Sequence, residues 1–92
     1  MISSFKCKDT QELYETVDNR RFAPIARVAL RNLEMLAAAT MVDTLRVPPG
    51  NRLEQLRGNR KGQWSIRVND QWRICFRWIG TNACDVEIVD YH

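Results

Sequence analysis

Between positions 63 and 78 apolar and polar residues alternate in two successive runs. Trp64, Ile66 and Val68 interleave with Gln63, Ser65 and Arg67, and Trp72, Ile74, Phe76 and Trp78 interleave with Arg73, Cys75 and Arg77. A period of two predicts a pair of half-buried strands, each with one apolar and one polar face. Asn69-Asp70-Gln71 between them is turn chemistry. Both apolar sets fall on even positions, so facing partners sum to an even number and a two-residue loop is excluded. Pairing Val68 with Trp72 sets Ile66 against Ile74, Trp64 against Phe76 and Arg67 against Arg73. The prediction is an arginine-lined sheet face backed by three tryptophans.

The pattern before this hairpin changes to a helical one. Ile2 to Lys8 is a short strand candidate, with Phe5 out of phase with Ile2 and Cys7. Asp9 is placed to cap a first helix, with Glu12 completing a capping-box-like pair. Leu13, Tyr14 and Val17 share a side of that helix, which ends near Asp18-Asn19. Pro24 is placed as the first residue of a second helix. In it Ile25, Val28, Ala29, Leu33, Leu36 and Ala37 recur at three- and four-residue steps, opposite Arg27, Arg31 and Glu34. Pro48-Pro49-Gly50-Asn51 stops any regular element, and Leu53 and Leu56 restart a short strand. Gly58-Asn59-Arg60-Lys61-Gly62 is a basic loop whose glycines permit close backbone approach to an anion, without the ending or helix context of a nucleotide-binding loop. Gly80 to Ala83 turns the chain into a last strand, Cys84 to Val89. This order predicts an α+β fold, with two N-terminal helices packed on a mainly antiparallel sheet of about four strands.

A length of 92 residues, 45% of them hydrophobic and 27% charged, predicts one soluble domain over residues 1–92. The net charge of +3 hides an uneven distribution. Residues 1–51 carry seven basic and six acidic side chains; residues 52–78 carry seven and two; residues 79–92 carry none and three. Cationic residues gathered in the middle of the chain predict an anionic partner. Cys7, Cys75 and Cys84 form no CxxC pair and no disulfide framework, which predicts a reduced, cytoplasmic protein. One histidine and scattered cysteines give no metal-ligand spacing, so neither metal nor cofactor is expected. The sequence holds no apolar run of membrane-span length and no signal-peptide core.

Registering the last strand by pairing Phe76 with Ile88 places Arg73 opposite Tyr91 and Arg77 opposite Glu87. The tail Asp90-Tyr91-His92 then ends beside an arginine and near the basic loop. At this point the sequence resembles a known family. The Asp-Tyr-His tail, the WRICFRW strand, the NRLEQLRGNRKGQWSIRVN segment and the preceding PPG are similar to the HigB branch of the RelE/ParE toxin superfamily. The resemblance is specific across Val47 to His92 and compatible with the helical front half. It implies a RelE-like fold and the toxin half of a bacterial type II toxin–antitoxin pair. It further implies a ribosome-dependent mRNA endonuclease cutting codons in the decoding site. Implied partners are the ribosome with its mRNA and a helix-turn-helix antitoxin (HigA-like), which alone would touch operator DNA.

In such a reaction the ribose 2′-hydroxyl attacks the adjacent phosphate, leaving a 2′,3′-cyclic phosphate and a 5′-hydroxyl. In-line attack needs a base, cations for the charged transition state and an acid for the leaving oxygen. Arg73 and Arg57 can supply bidentate phosphate contacts. His92 titrates in the useful range as acid or base. Tyr91 can orient a phosphate, stack or shuttle a proton, and Asp90 can position either neighbour. Some members of this branch carry histidine where this chain has Glu54, which is either a substitute base or an ion-pair partner of Arg52 or Arg57. Trp72 is a core aromatic or a stacking surface for a base. Arg52, Arg60 and Lys61, with Arg67 and Arg77 on the sheet face, are expected to grip RNA. Two rivals share the scaffold: a non-enzymatic DNA gyrase poison of the ParE kind, and a catalytically weak member that only binds its antitoxin.

Overall fold

The computed structural model describes residues 1–90, so the expectations for Tyr91 and His92 fall outside the described residues. Two helices, α1 (Lys8–Thr16) and α2 (Ala26–Ala38), precede four strands: β1 (Glu54–Gln55), β2 (Trp64–Arg67), β3 (Trp72–Ile79) and β4 (Asn82–Asp90). The strands form one sheet in the order β1-β2-β3-β4, each pair antiparallel. The fold is therefore the small α+β arrangement that the order of elements predicts.

The β2–β3 hairpin has the predicted register. Trp64 faces Phe76, Ile66 faces Ile74 and Arg67 faces Arg73, with the Val68 N–H bonded to the Trp72 carbonyl at 2.9 Å. Asn69 shapes the loop: its Oδ1 accepts from the N–H groups of Gln71 (2.9 Å) and Trp72 (2.8 Å). The even-numbered face is the core face. Ile66, Ile74 and Phe76 are fully buried there against Leu13, Phe22, Ala29, Leu33 and Leu36 of the helical half. Each large apolar side chain so buried contributes about 1.5–3 kcal/mol.

The β3–β4 register differs from the expected one by two residues. Ile74, not Phe76, faces Ile88; Arg73 faces Val89, and Trp72 faces Asp90. The cause is a tight turn followed by a bulge. Ile79 pairs with Asn82, leaving Gly80-Thr81 as the loop, with Gly80 at the positive φ of 63° that primed hairpin turns require at their first central position. Pairing then shifts between Cys75 and Arg77, where Asp85 takes a φ of 52° as the extra residue. The bulge lets Ala83, Val86 and Ile88 all reach the core although they are spaced three and then two apart. Arg77 consequently faces Cys84, and Glu87 faces Cys75.

The front of the chain departs from expectation in four places. Residues 1–6 run beside β4 with two isolated parallel bridges, Ile2–Ala83 and Phe5–Val86, rather than as a strand. The three-residue step between bridges matches the bulge, whose Asp85 N–H is held by Ser4 Oγ at 2.9 Å. Helix α1 begins at Lys8 with Cys7 before it, and Asp9 does not cap it. The Asp9 and Glu12 carboxylates instead accept from Asn19 Nδ2 at 3.2 and 3.1 Å, closing the turn after the helix. Val17 lies in the left-handed region (φ 61°) past the end of α1, which swings it out to 67% exposure. Pro24 sits in a 3-10 turn, Ala23–Ile25, and α2 follows from Ala26.

Buried polar groups fasten the helices to the sheet. Thr10 Oγ1, on α1, accepts the Ile88 N–H of β4 at 3.0 Å, and Asn32 Nδ2, on α2, donates to the Arg67 carbonyl of β2 at 2.9 Å. Both side chains are at most 1% exposed, so these bonds form away from competing water and fix the hairpin and the last strand relative to the helices.

Candidate active site

The face of the sheet away from the helices carries Ser65 and Arg67 on β2, Arg73, Cys75 and Arg77 on β3, and Glu87 on β4. Sequence pattern alone predicts an open polar plane here. The structure closes it: Ser65 and Cys75 are fully buried and Arg73 is 8% exposed, because residues of the 52–63 segment fold back over the sheet. Arg60 leads that segment down. Its Nη1 donates to Glu87 Oε1 at 2.8 Å and to Gln63 Oε1 at 3.1 Å, so Arg60 is half-buried rather than projecting. Burial pushes the Cys75 thiol above its usual 9.0, with Glu87 acting in the same direction and Arg60 and Arg73 against it.

Arg73 is the most tightly held cation of the face. Its Nε donates to Ser65 Oγ at 2.8 Å, and its Nη2 donates to the Arg52 carbonyl at 2.7 Å and the Ser65 carbonyl at 3.4 Å. Glu54, on the two-residue strand β1 directly opposite Ser65, brings Oε2 to 4.0 Å from Nη2 with its side chain half exposed. One rigid guanidinium and one accessible carboxylate thus approach each other on the same sheet face from neighbouring rows. Such a pair can offer charge-assisted contacts to an anion and a proton acceptor beside it.

The other expected residues are distributed as follows. Asp90, at the end of β4, accepts from Gln71 Nε2 at 3.1 Å and lies one register position from Arg73. Arg67 is ion-paired with Asp70 of its own turn. Arg77 pairs with Asp85 at 3.7 Å. Arg57 and Lys61 are exposed and line a cleft of about 400 Å³ with Gln55, Leu56, Gly58, Gly62 and Gln63. Arg52 is exposed and left-handed. Trp72 is half-buried on the helix-facing side, edge-on to Phe22 with ring centroids 5.7 Å apart. Of the bracketing glycines, Gly62 also makes room for a cation of the protein itself: a Cβ there (φ 90°) would stand 3.0 Å from Arg77 Nη1.

Sequence reasoning missed Ser65 and Glu87, which hold Arg73 and Arg60. A serine at an outward position next to an arginine strand is the only signal for the first, and for Glu87 the bulge hides its partner. Among the described residues no group of three or more histidine, cysteine or acidic side chains is placed to hold a metal ion, and no helix is long and apolar enough to cross a membrane.

Two helices packed on a four-stranded antiparallel sheet form a fold that solved structures share. YafQ from E. coli strain BL21(DE3) superposes with a TM-score of 0.56 at 12% identity, covering 98% of this chain and 93% of that one. The YoeB–YefM toxin–antitoxin complex from Staphylococcus aureus contains a chain that superposes with a TM-score of 0.58 at 14% identity, covering 100% and 98%. Sequence narrows the class. Residues 3–92 match the family model of the RelE-like toxin of type II toxin–antitoxin system HigB, and the chain belongs to that family. It is 46% identical to Toxin HigB-1 of Vibrio cholerae serotype O1 over 81 residues, covering 86% of this chain and 85% of that one. It is 35% identical to Endoribonuclease HigB of Proteus vulgaris over 98 aligned residues, covering the full length of both. As a type II toxin it is one half of a pair whose other half is a cognate antitoxin.

Proposed function

We propose that this toxin is an endoribonuclease that cuts mRNA held in the decoding site of the bacterial ribosome, in the cytoplasm, and so stops translation. A full-length relative that bears the name endoribonuclease supports the chemistry. The observation that carries the reading is the pinned, 8% exposed guanidinium of Arg73 with Glu54 at 4.0 Å, on a face whose neighbouring strand runs into the Asp90-Tyr91-His92 tail. In the proposed reaction Glu54 takes the proton of the 2′-hydroxyl, whose oxygen bonds to phosphorus. Arg73, with Arg57 from the cleft, stabilises the charge on the phosphoryl oxygens. His92 protonates the departing 5′-oxygen, while Tyr91 and Asp90 orient the tail. The exposed cations Arg52, Arg57 and Lys61 grip the RNA backbone without reading its sequence. The antitoxin is of the helix-turn-helix, HigA-like kind, and contact with operator DNA is made through it.

Programmed ribosomes with a defined mRNA test the reading by primer extension and end-group analysis. Cuts within codons, with 2′,3′-cyclic phosphate and 5′-hydroxyl ends and only in the presence of ribosomes, are expected. The same tests on a chain lacking Tyr91 and His92 should show intact message. Equal cutting of naked RNA would overturn the ribosome requirement. Intact transcripts with broken, gyrase-linked DNA would make the protein a gyrase poison instead.

A further inference from the structure

Among the described residues, Arg73 is held by a buried hydroxyl and by backbone carbonyls, one of them on a strained residue, none of which the cleavage chemistry uses. Ser65 is fully buried in the middle of β2, one register row from Arg73, and its hydroxyl has no route to a substrate. Its Oγ accepts Nε–H at 2.8 Å, the N–H of the guanidinium that fixes the rotation of the whole planar group. The second point of attachment is the Arg52 carbonyl, 2.7 Å from Nη2. Arg52 follows the Pro49–Asn51 turn with φ 46° and ψ 57°. A side chain other than glycine is disfavoured in this left-handed region, and strain of that kind persists where surrounding structure fixes it. Here the turn is held by buried Asn51, whose Nδ2 donates to the Leu45 carbonyl at 3.1 Å.

We infer that Ser65 is a positioning residue for Arg73, and that Arg52 serves the site through its left-handed carbonyl as well as its charge. Acceptors on different elements hold the guanidinium plane in one orientation, so the cation meets a phosphate without reorganisation. The inference deepens the proposed function and rests on it for the reaction that Arg73 serves. It adds a division of labour: the polar contacts around Arg73 are a mount, and the electrostatics of the face are built by aiming one cation rather than by massing several.

The experiment combines kinetics with a readout independent of cleavage. In single-turnover cleavage on programmed ribosomes, Ser65→Ala is expected to lower the maximal rate about tenfold or more, with the ribosome concentration for half-maximal rate unchanged. In an Arg73→Ala background the same change should have no further effect, because there is no guanidinium left to aim. Arg52→Val should fall well below Arg52→Gly, since both lack the charge and only glycine adopts the left-handed conformation easily. Circular dichroism and thermal melting confirm that each variant is folded. In ¹⁵N spectra the Arg73 Nε–H should exchange slowly in the wild-type chain and quickly in Ser65→Ala. Additive losses for Ser65 and Arg73, equal losses for the two Arg52 variants, or an Nε–H that exchanges equally fast in both chains would overturn the inference. If the wild-type chain cuts no RNA while its Nε–H is protected and released by Ser65→Ala, the cleavage reading falls and the mount remains.

Discussion

Removing the guanidinium at position 73 while leaving its neighbour at position 67 intact separates aimed chemistry from general attraction for RNA. The two arginines face each other across β2 and β3, yet their surroundings differ. Arg67 is ion-paired with a fully exposed Asp70 in its own turn, whereas Arg73 is 8% exposed and bonded through two different nitrogens. Charge in a water-poor site acts at low effective dielectric and stabilises a developing anion far more than a solvated charge does. Loss of one such donor costs about 2.7–4 kcal/mol of transition-state stabilisation, or roughly 10²–10³-fold in rate. Arg73→Ala should therefore slow single-turnover cleavage by that factor, while Arg67→Ala should stay within about threefold of wild type. Arg73→Lys should resemble Arg73→Ala. A single ammonium nitrogen cannot satisfy Ser65 Oγ and the Arg52 carbonyl together, and one buried acceptor left unpaired costs about 1–3 kcal/mol in addition. Purified variants with matched melting curves, assayed on the same batch of programmed ribosomes, provide the measurement. Equal losses for Arg73→Ala and Arg67→Ala would refute the argument and reduce both residues to docking charge.

Three further outcomes are expected. Glu54→Gln should reduce the cleavage rate by about 10²–10⁴-fold, the range for a general base, and leave ribosome pelleting unchanged; an unaltered rate would leave Glu54 as an ion-pair partner of Arg73 alone. Charge reversal at Arg27 and Arg31, exposed on α2, should weaken the antitoxin complex about tenfold or more while growth arrest persists, because the antitoxin is expected on the helical side and to act by bulk; protection of Arg73 by the antitoxin with Arg27 and Arg31 left accessible would contradict this. The raised thiol of Cys75 makes the neutral form the native one. Its stabilising effect is complete below pH 9.0 and fades as pH climbs through the higher folded value, so alkaline melting should be shallower in Cys75→Val, and Cys75 should alkylate more slowly than Cys7 and Cys84 at pH 8; a Cys75 that reacts as fast as Cys84 would overturn it.

How far the chain could be read without coordinates depended on how local each decision was. The β2–β3 register followed from parity and loop length alone, because every apolar residue from Trp64 to Trp78 is even-numbered and one slip would expose them all. The β3–β4 register was hidden by the two-residue Gly80-Thr81 turn together with the bulge at Asp85, since an extra residue in a left-handed conformation leaves no compositional mark. The Asp9–Glu12 spacing predicts a helix cap and serves a turn instead, because Asn19 competes for the same carboxylates as a helix terminus does. Arg73 stood out in the pattern; its mount did not. Ser65 is an ordinary outward-facing strand residue until the 52–63 segment closes over it, and that closure is a tertiary event no window of sequence contains.

The lacing of residues 1–6 along β4 has a consequence for how this protein meets other chains. Main-chain bonds from Met1, Ser3, Ser4 and Lys6, and then Thr10 Oγ1, occupy the outer rim of β4 from Ala83 to Ile88. The opposite rim is β1, two residues long. Between Ala83 and Ile88, a strand from another molecule could therefore add to β4 only by displacing the amino-terminal segment, and β1 offers it two residues. If the antitoxin docks on the helical side as expected, the charges of that surface, rather than the sheet backbone, carry the discrimination between one antitoxin and another.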